Sequence, residues 1–350
     1  MPDTILTETG KHVPVLQHPA PNTAWLARQP EPAIDPAMPV IDPHHHLWDR
    51  GGGYFLDELL ADIGGGHNVV STVFLQCAYG YRTGGPEAMK PVGETEFVTA
   101  LAEESDRRGT TARVCEGIVG HADLRLGDAV APVLEAHMEA GHGRFRGIRH
   151  VTARNEEFRA SVVPVPPARV MADGAFRSGY ARLKEHGLSF DAWLYHTQID
   201  ELADLARAFP DTPVVLNHVG GPLAIGPFAG KRDEVFPGWR AAIVRLAQLP
   251  NVSCKLGGLA MVTTGFEFHK QPEPPGSDAL LAAWRPYLDA CIEAFGPGRC
   301  MFESNFPVDK AMCSYTALWN AFKRAAAGYS PDEKAAMFHD TAARVYRLAS

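Results

Sequence analysis

No stretch of this chain approaches the ~20 consecutive apolar residues that a bilayer-crossing helix requires. A helical membrane protein is therefore not expected. Basic residues are fewer than acidic ones: 33 Lys and Arg stand against 41 Asp and Glu, a formal charge of -8. No long Lys/Arg run offsets that balance, which argues against a general nucleic-acid binder. The six cysteines (Cys77, Cys115, Cys254, Cys291, Cys300, Cys313) form no C-x-x-C pair, and four lie in strand-like runs. They read as buried free thiols, not as a disulfide scaffold. The first forty residues lack a basic start followed by an apolar core, so no secretion signal is expected and a reducing, cytoplasmic setting fits. Internal repeats and low-complexity blocks are absent too.

What is present is alternation. Residues 1–38 are rich in proline and polar residues without a sustained period, and read as an N-terminal arm that wraps the body or a partner. From Val40 on, apolar strand-like runs recur: Val40–Ile41, Val69–Cys77, Arg113–Val119, Phe145–Val151, Leu188–Leu194, Pro213–His218, Val252–Leu256 and Cys300–Phe302. Helix-spaced stretches separate most of them: Glu94–Arg108, Asp128–Ala140, Asp200–Phe209, Trp239–Leu249, Leu280–Phe295 and Tyr315–Ala326. Ser330-Pro331-Asp332-Glu333 joins an N-cap serine, proline at N1 and a capping-box glutamate, and opens a last helix. Eight strands alternating with helices point to an α/β fold, a single-domain (β/α)8 barrel over residues 39–350. A doubly wound open sheet would want a G-x-G-x-x-G turn after an early strand, and none stands there.

In such a barrel the chemistry lies at the C-terminal ends of the strands. Those ends carry His44 and His46; Gln76 with Tyr79 and Tyr81; His121; Arg149 and His150; His196; Asn217 and His218; Lys255; and Glu303-Ser304-Asn305. On a strand, Asp42, His44 and His46 share one face while His45 points away. Two imidazoles so spaced can chelate one ion or flank one reacting group. The bland reading, hydrogen-bonded polar strand ends, leaves so many buried polar groups at one end without a reason. Three long loops, Thr152–Ala172, Gly221–Gly238 and Met261–Ser277, would rise as walls or a lid on that same face.

Five motifs in order carry a resemblance. They are Ile41-Asp42-Pro43-His44-His45-His46-Leu47-Trp48-Asp49, Arg146-Gly147-Ile148-Arg149-His150, Leu216-Asn217-His218-Val219-Gly220-Gly221-Pro222, Cys254-Lys255-Leu256-Gly257-Gly258-Leu259 and Ser304-Asn305-Phe306-Pro307. Together with His196 they resemble the amidohydrolase superfamily, and most closely its sugar lactonases and 2-pyrone-4,6-dicarboxylate lactonases, from about residue 40 to the C-terminus. The resemblance implies that the histidines bind a divalent metal, or in some lactonases the substrate directly, and that a strand-8 carboxylate takes the proton of the attacking water. Here that position is Asn305, which cannot ionise and is a poorer metal ligand. Glu303, one layer deeper, could supply the charge, or His218 or His196 could accept the proton, which is the preferred reading. His44, His46 and His196 make a three-nitrogen set for zinc or a similar divalent ion, with open positions for water and substrate. Asn305→Asp is expected to tighten such binding.

Arg149, Lys255, Gln76, Tyr79 and His150 are the candidate substrate contacts, with Arg154 and Arg82 weaker because each can be a solvated loop charge. Guanidinium groups grip carboxylates, so an anionic or polyhydroxylated small molecule is the expected partner, without nucleic acid or membrane. The expected activity is hydrolysis of a lactone or related cyclic ester. The alternatives are a metal-dependent decarboxylase or hydratase acting on an aromatic or unsaturated acid, and a binding barrel that has lost catalysis. Homo-oligomerisation stays open.

Overall fold

The computed structural model describes residues 4–6, 12–160 and 165–349. Parts of the expected arm (1–3 and 7–11), part of the loop after the fourth strand (161–164) and Ser350 lie outside the described residues.

Eight parallel strands follow one another around a single sheet: β1 (Pro39–His45), β2 (Asn68–Leu75), β3 (Arg113–Gly120), β4 (Phe145–Ile148), β5 (Ser189–Ala192), β6 (Val214–Leu216), β7 (Val252–Leu256) and β8 (Cys300–Phe302). The first and last strands close through residues just beyond β8. Asn305 N–H donates to the His44 carbonyl at 2.9 Å, His46 N–H donates to the Phe306 carbonyl at 2.7 Å, and His45 bridges Phe306 in parallel. The cylinder is therefore sealed at its C-terminal rim, where the histidines stand. Each strand is followed by a helix: α1 (Leu56–Ile63), α2 (Val92–Arg108), α3 (Ala131–Ala140), α4 (Gly174–Glu185), α5 (Ile199–Ala208), α6 (Arg232–Ala247), α7 (Ser277–Phe295) and α8 (Tyr315–Ala325). The expected (β/α)8 barrel is what forms.

Two apolar layers hold it. The larger lies between strands and helices and takes in Leu59, Phe74, Phe190, Trp239, Trp284 and Phe302, all buried. Burying a side chain of this size is worth roughly 2–3 kcal/mol, so this layer dominates the favourable side of folding. The second fills the lumen with Ile41, Val73, Leu75, Val119, Val215 and Met301, against Ala342, Val345, Tyr346 and Leu348. Thr341–Tyr346 is a C-terminal helix, so the end of the chain plugs the bottom of the barrel. Only the opposite mouth is left for chemistry.

Strands β2, β4, β5 and β6 are shorter than their apolar runs. The chain leaves each strand early to aim its polar end inward; at β6, His218 and Val219 turn through positive φ (54° and 46°). Helices α1 and α4 are additional to the helix-spaced stretches expected from the sequence, and the start of the Asp128 stretch is a 3₁₀ segment (Leu124–Val130) broken at Gly127. The Ser330 capping box forms: Glu333 N–H donates to Ser330 Oγ at 3.3 Å and Ser330 N–H to Glu333 Oε2 at 2.8 Å. All six cysteines are buried and unpaired. No helix among the described residues is long and apolar enough to cross a membrane.

Candidate active site

At the open mouth lies a pocket of about 270 Å³. From the barrel it is lined by His46, Trp48, Arg149, Trp193, His218 and Asn305, and from the β7 loop by Met261 and Thr263. Beneath it, fully buried, sit His44, Lys255, Glu303 and Asp191.

Glu303 organises this floor. Its Oε1 accepts from the His218 backbone N–H at 3.1 Å and lies 2.7 Å from His218 Nδ1. A carboxylate there fixes the proton on Nδ1 and leaves Nε2 free to act as base or ligand. Glu303 Oε2 stands 2.7 Å from His44 Nδ1, yet no donor is well enough aligned to hydrogen-bond it. His46 is fixed in the same sense as His218: its Nδ1–H donates to the Leu75 carbonyl at 2.7 Å, and its ring stacks on Trp48. The three rings crowd together, His44 lying 5.0 Å from His46 and 4.5 Å from His218 between centroids. The two glycines after Lys255 and Leu256 make the approach possible. A Cβ on Gly257 would sit 2.5 Å from Glu303 Cγ, and one on Gly258, at φ +64°, would sit 2.5 Å from His218 Cγ.

Two cations flank His44. Arg149 Nη1 donates to His44 Nε2 at 3.2 Å, and Lys255 Nζ lies 3.3 Å from Nδ1. A neutral imidazole cannot accept at both nitrogens. Lys255 has its own partner in Asp191 (2.9 Å), so the proton belongs on Nδ1, facing Glu303, and Nε2 accepts from Arg149. Burial first, then the neighbouring cations, pulls His44 well below the ordinary histidine range. Burial is also the leading cause that lowers His46 and His218, with Glu303 opposing it at His218. All three rings are neutral at pH 7.

Asp191 ties the floor to the plug. Its Oδ1 accepts from Lys255, from Asn217 Nδ2 at 3.0 Å and from the Tyr346 hydroxyl at 2.8 Å. Asn305, in a positive-φ conformation (55°), donates from Nδ2 to Asp309 Oδ1 at 2.7 Å. Asp309 is wholly buried, and that burial raises its carboxyl well above the ordinary range.

Not every expected site residue converges here. His196 follows β5, but its Nδ1 accepts from Leu223 N–H at 3.2 Å and its ring packs on Phe228. It does not line the pocket; Trp193, three residues earlier, takes the β5 position there, with its ring 4.7 Å from His218. The trio brought together is thus His44, His46 and His218, without His196. His150 accepts from Leu124 N–H at 3.3 Å and faces a separate small cavity with His121. It points there because successive residues leave β4 on opposite sides and Arg149 takes the inward one. Tyr79 packs edge-on against Phe97 and beside Phe55, on the helix side. Gln76 supports Arg149, accepting from its Nε at 3.3 Å through Oε1 and from its Nη2 through the backbone carbonyl. Lys255 lies below the pocket lining. Arg154 is tied to Glu156 and the Pro166 carbonyl, and Arg82 to Glu96 on the surface.

Asp191, Trp193, Asp309 and His18, at or beneath the pocket, were not among the candidates. Asp191 had a signal, a lone acid inside the apolar run Ser189–Ala192. Trp193, Asp309 and His18 had none that local pattern could supply.

A divalent ion has a credible donor set. His44, His218 and Glu303 each offer a ligand atom, all within 4.8 Å of one another. Glu303 Oε2, close to His44 Nδ1 but without a well-aligned hydrogen bond among the described residues, gives the cluster an anionic oxygen. Two imidazoles with a carboxylate suit zinc-like ions, so the residues fit. Arg149 and Lys255 oppose the ion by like charge, and each also contacts a His44 ring nitrogen that an ion would need.

Comparison with known proteins agrees with the geometry. Residues 41–348 match the amidohydrolase family. An uncharacterised Sinorhizobium fredii protein, y4mH, is 36% identical over 332 residues, covering 88% of this chain and 98% of that one. An L-fucono-1,5-lactonase of Burkholderia multivorans is 30% identical over 322 residues, with 88% and 96% covered. A crystal structure of a Burkholderia multivorans amidohydrolase with bound zinc superposes with a TM-score of 0.69 at 26% identity, covering 89% of this chain and 99% of that one. With a sealed barrel, histidines gathered at its mouth and a match spanning nearly all of it, this chain belongs to the amidohydrolase family.

Proposed function

We propose that this protein hydrolyses a lactone of a polyhydroxylated or anionic small molecule. The observation that carries the reading is His218. It is a neutral imidazole on the pocket wall, its Nδ1 held by buried Glu303 and its Nε2 left for a reacting proton, with the Arg149 guanidinium lining the same pocket. The kinship with an L-fucono-1,5-lactonase supports the same class of substrate.

The chemistry follows from these groups. Water forms a bond to the lactone carbonyl carbon while His218 Nε2 takes its proton, and Glu303 stabilises the resulting imidazolium. Charge that gathers on the carbonyl oxygen is met by Arg149, which Gln76 holds in place. The carbon–oxygen ring bond then breaks, and His218 returns the proton to the departing ring oxygen. The product is an open hydroxy acid. Asn305 cannot take the proton, so its amide serves as a hydrogen-bonding wall. His196 stands outside the pocket and has no part in this scheme. A divalent ion such as zinc would be held by His44, His218 and Glu303 and would supply Lewis-acid polarisation, with His218 then a ligand in place of the proton acceptor.

Proton release in a pH-stat, over a panel of sugar lactones and pyrone carboxylates, tests the reading. Activity on at least one lactone is expected, with loss in His218→Ala. Turnover that survives alanine at both His44 and His218 would remove this site from consideration. Carbon dioxide release without ring opening would favour a decarboxylase instead.

A further inference from the structure

The roof of the pocket does not come from the barrel. Gln17, His18, Pro19, Ala20 and Pro21, all ahead of β1, line it opposite His46 and His218. Contacts on both sides hold this segment down. Before it, the strand His12–Leu16 pairs with Arg159–Ala160 in the loop after β4, and Val13 is buried. After it, Trp25 Nε1–H donates to the Pro272 carbonyl at 3.2 Å. Glu31 accepts from Ser277 N–H at 2.6 Å and from Asn320 Nδ2 at 2.9 Å. Prolines at 19 and 21 stiffen the span between these anchors.

His18 is the one titratable side chain in that roof. Its Nδ1 is buried and has no hydrogen-bond partner. Burial, with the nearby His218 adding to it, holds the ring at a pKa of about 4, so it is neutral at pH 7. A buried polar atom without a partner is costly, and because His18 lines the ligand pocket, a small rotation of its ring would offer that nitrogen to a ligand. A neutral imidazole nitrogen presents a single donor or acceptor, and a sugar hydroxyl can pair with either.

We infer that His18 is a substrate-binding residue whose Nδ1 hydrogen-bonds a hydroxyl of the lactone, making the segment ahead of the barrel part of the specificity pocket. This rests on the lactone-opening reading. It predicts discrimination between hydroxylated and bare lactone rings, since a site built around a hydroxyl rejects the analogue that lacks it.

The test compares kcat/KM on L-fucono-1,5-lactone and on unsubstituted δ-valerolactone in the full-length protein. His18→Ala should lower the ratio of the two about tenfold, the effect of one lost hydrogen bond. His18→Asn, whose amide can stand near the Nδ1 position, should restore most of the ratio. An unchanged ratio in His18→Ala, whether both rates fall together or neither falls, overturns the inference. If the wild-type protein opens neither lactone, the activity reading fails separately, and calorimetric titration with L-fuconate decides on His18. Weaker binding to His18→Ala than to wild type then supports its role; equal binding, or none to wild type, refutes it.

Discussion

Glu303 Oε1 lies 2.7 Å from His218 Nδ1 and accepts the His218 backbone N–H as well, so one buried oxygen fixes both the ring and the turn that carries it. The positive φ at His218 is sustained by that double attachment. Glu303 therefore acts beneath the chemistry, on the ring that does it. Glu303→Gln keeps an acceptor and removes the charge that stabilises an imidazolium. It should lower kcat about 10²-fold or more with a small change in KM. Steady-state kinetics on an active lactone check this, and an unchanged kcat would separate Glu303 from proton transfer.

Asn305 and Asp309 explain each other. An amide Nδ2 at 2.7 Å is a good partner for a buried carboxyl oxygen, whereas a second carboxyl there would leave two buried acids to share one site. Asn305→Asp should destabilise the metal-free protein by on the order of 2 kcal/mol. The double exchange Asn305→Asp/Asp309→Asn should recover most of that loss. Added zinc should stabilise Asn305→Asp more than wild type, because a new carboxylate beside the cluster attracts the ion. Denaturant midpoints with and without zinc measure both effects. Full stability of the single variant would mean the two side chains do not face each other as described.

The zinc ligands can be told apart by titration. His218→Ala removes a donor of the His44–His218–Glu303 group and should weaken zinc binding at least tenfold. His196→Ala removes a ring engaged with Leu223 and Phe228, and should leave zinc affinity within about threefold of wild type. Calorimetry with zinc alone reads both, and the reverse order would return His196 to the ligand set.

Glu94 links the fold to pH. It opens α2, and its Oε1 accepts from the Cys77 and Tyr79 backbone N–H groups at 3.0 and 2.9 Å, while Oε2 has no partner. Burial outweighs those bonds and lifts its pKa from 4.5 to about 7. Between those values the folded state keeps a proton the unfolded state has lost, so this residue's contribution to stability falls as pH rises. Glu94→Gln keeps the acceptor without the charge. It should gain on the order of 1–2 kcal/mol relative to wild type on going from pH 5 to pH 8. Urea unfolding at the two pH values tests it; a variant-minus-wild-type difference that stays constant would show that Glu94 is not titrating.

Much of this was readable in the chain because it repeats locally. The alternation of strand runs such as Arg113–Val119 with helix-spaced stretches such as Glu94–Arg108 needs only short-range periodicity. The same holds for Arg149, His44 and His46, which stand at strand ends where barrel geometry aims side chains into the mouth. Helix α4 was harder to read, since its buried face, Phe176, Gly179, Tyr180 and Leu183, is interrupted by a glycine. His196 looked like a ligand because it follows β5, but the strand ends at Ala192 and the chain turns before reaching it.

By itself the sequence determined the barrel, its order of strands, and the polar groups collected at one rim, since period and strand-end chemistry are properties of neighbouring residues. Only the tertiary structure decided which rings meet. His218 joins His44 through a glutamate 85 positions further along the chain, an asparagine is matched to Asp309, and a histidine from ahead of the barrel comes to rest over the pocket. These are contacts made across closure of the cylinder. Their partners are set by where packed elements bring side chains, and local pattern carries no record of that.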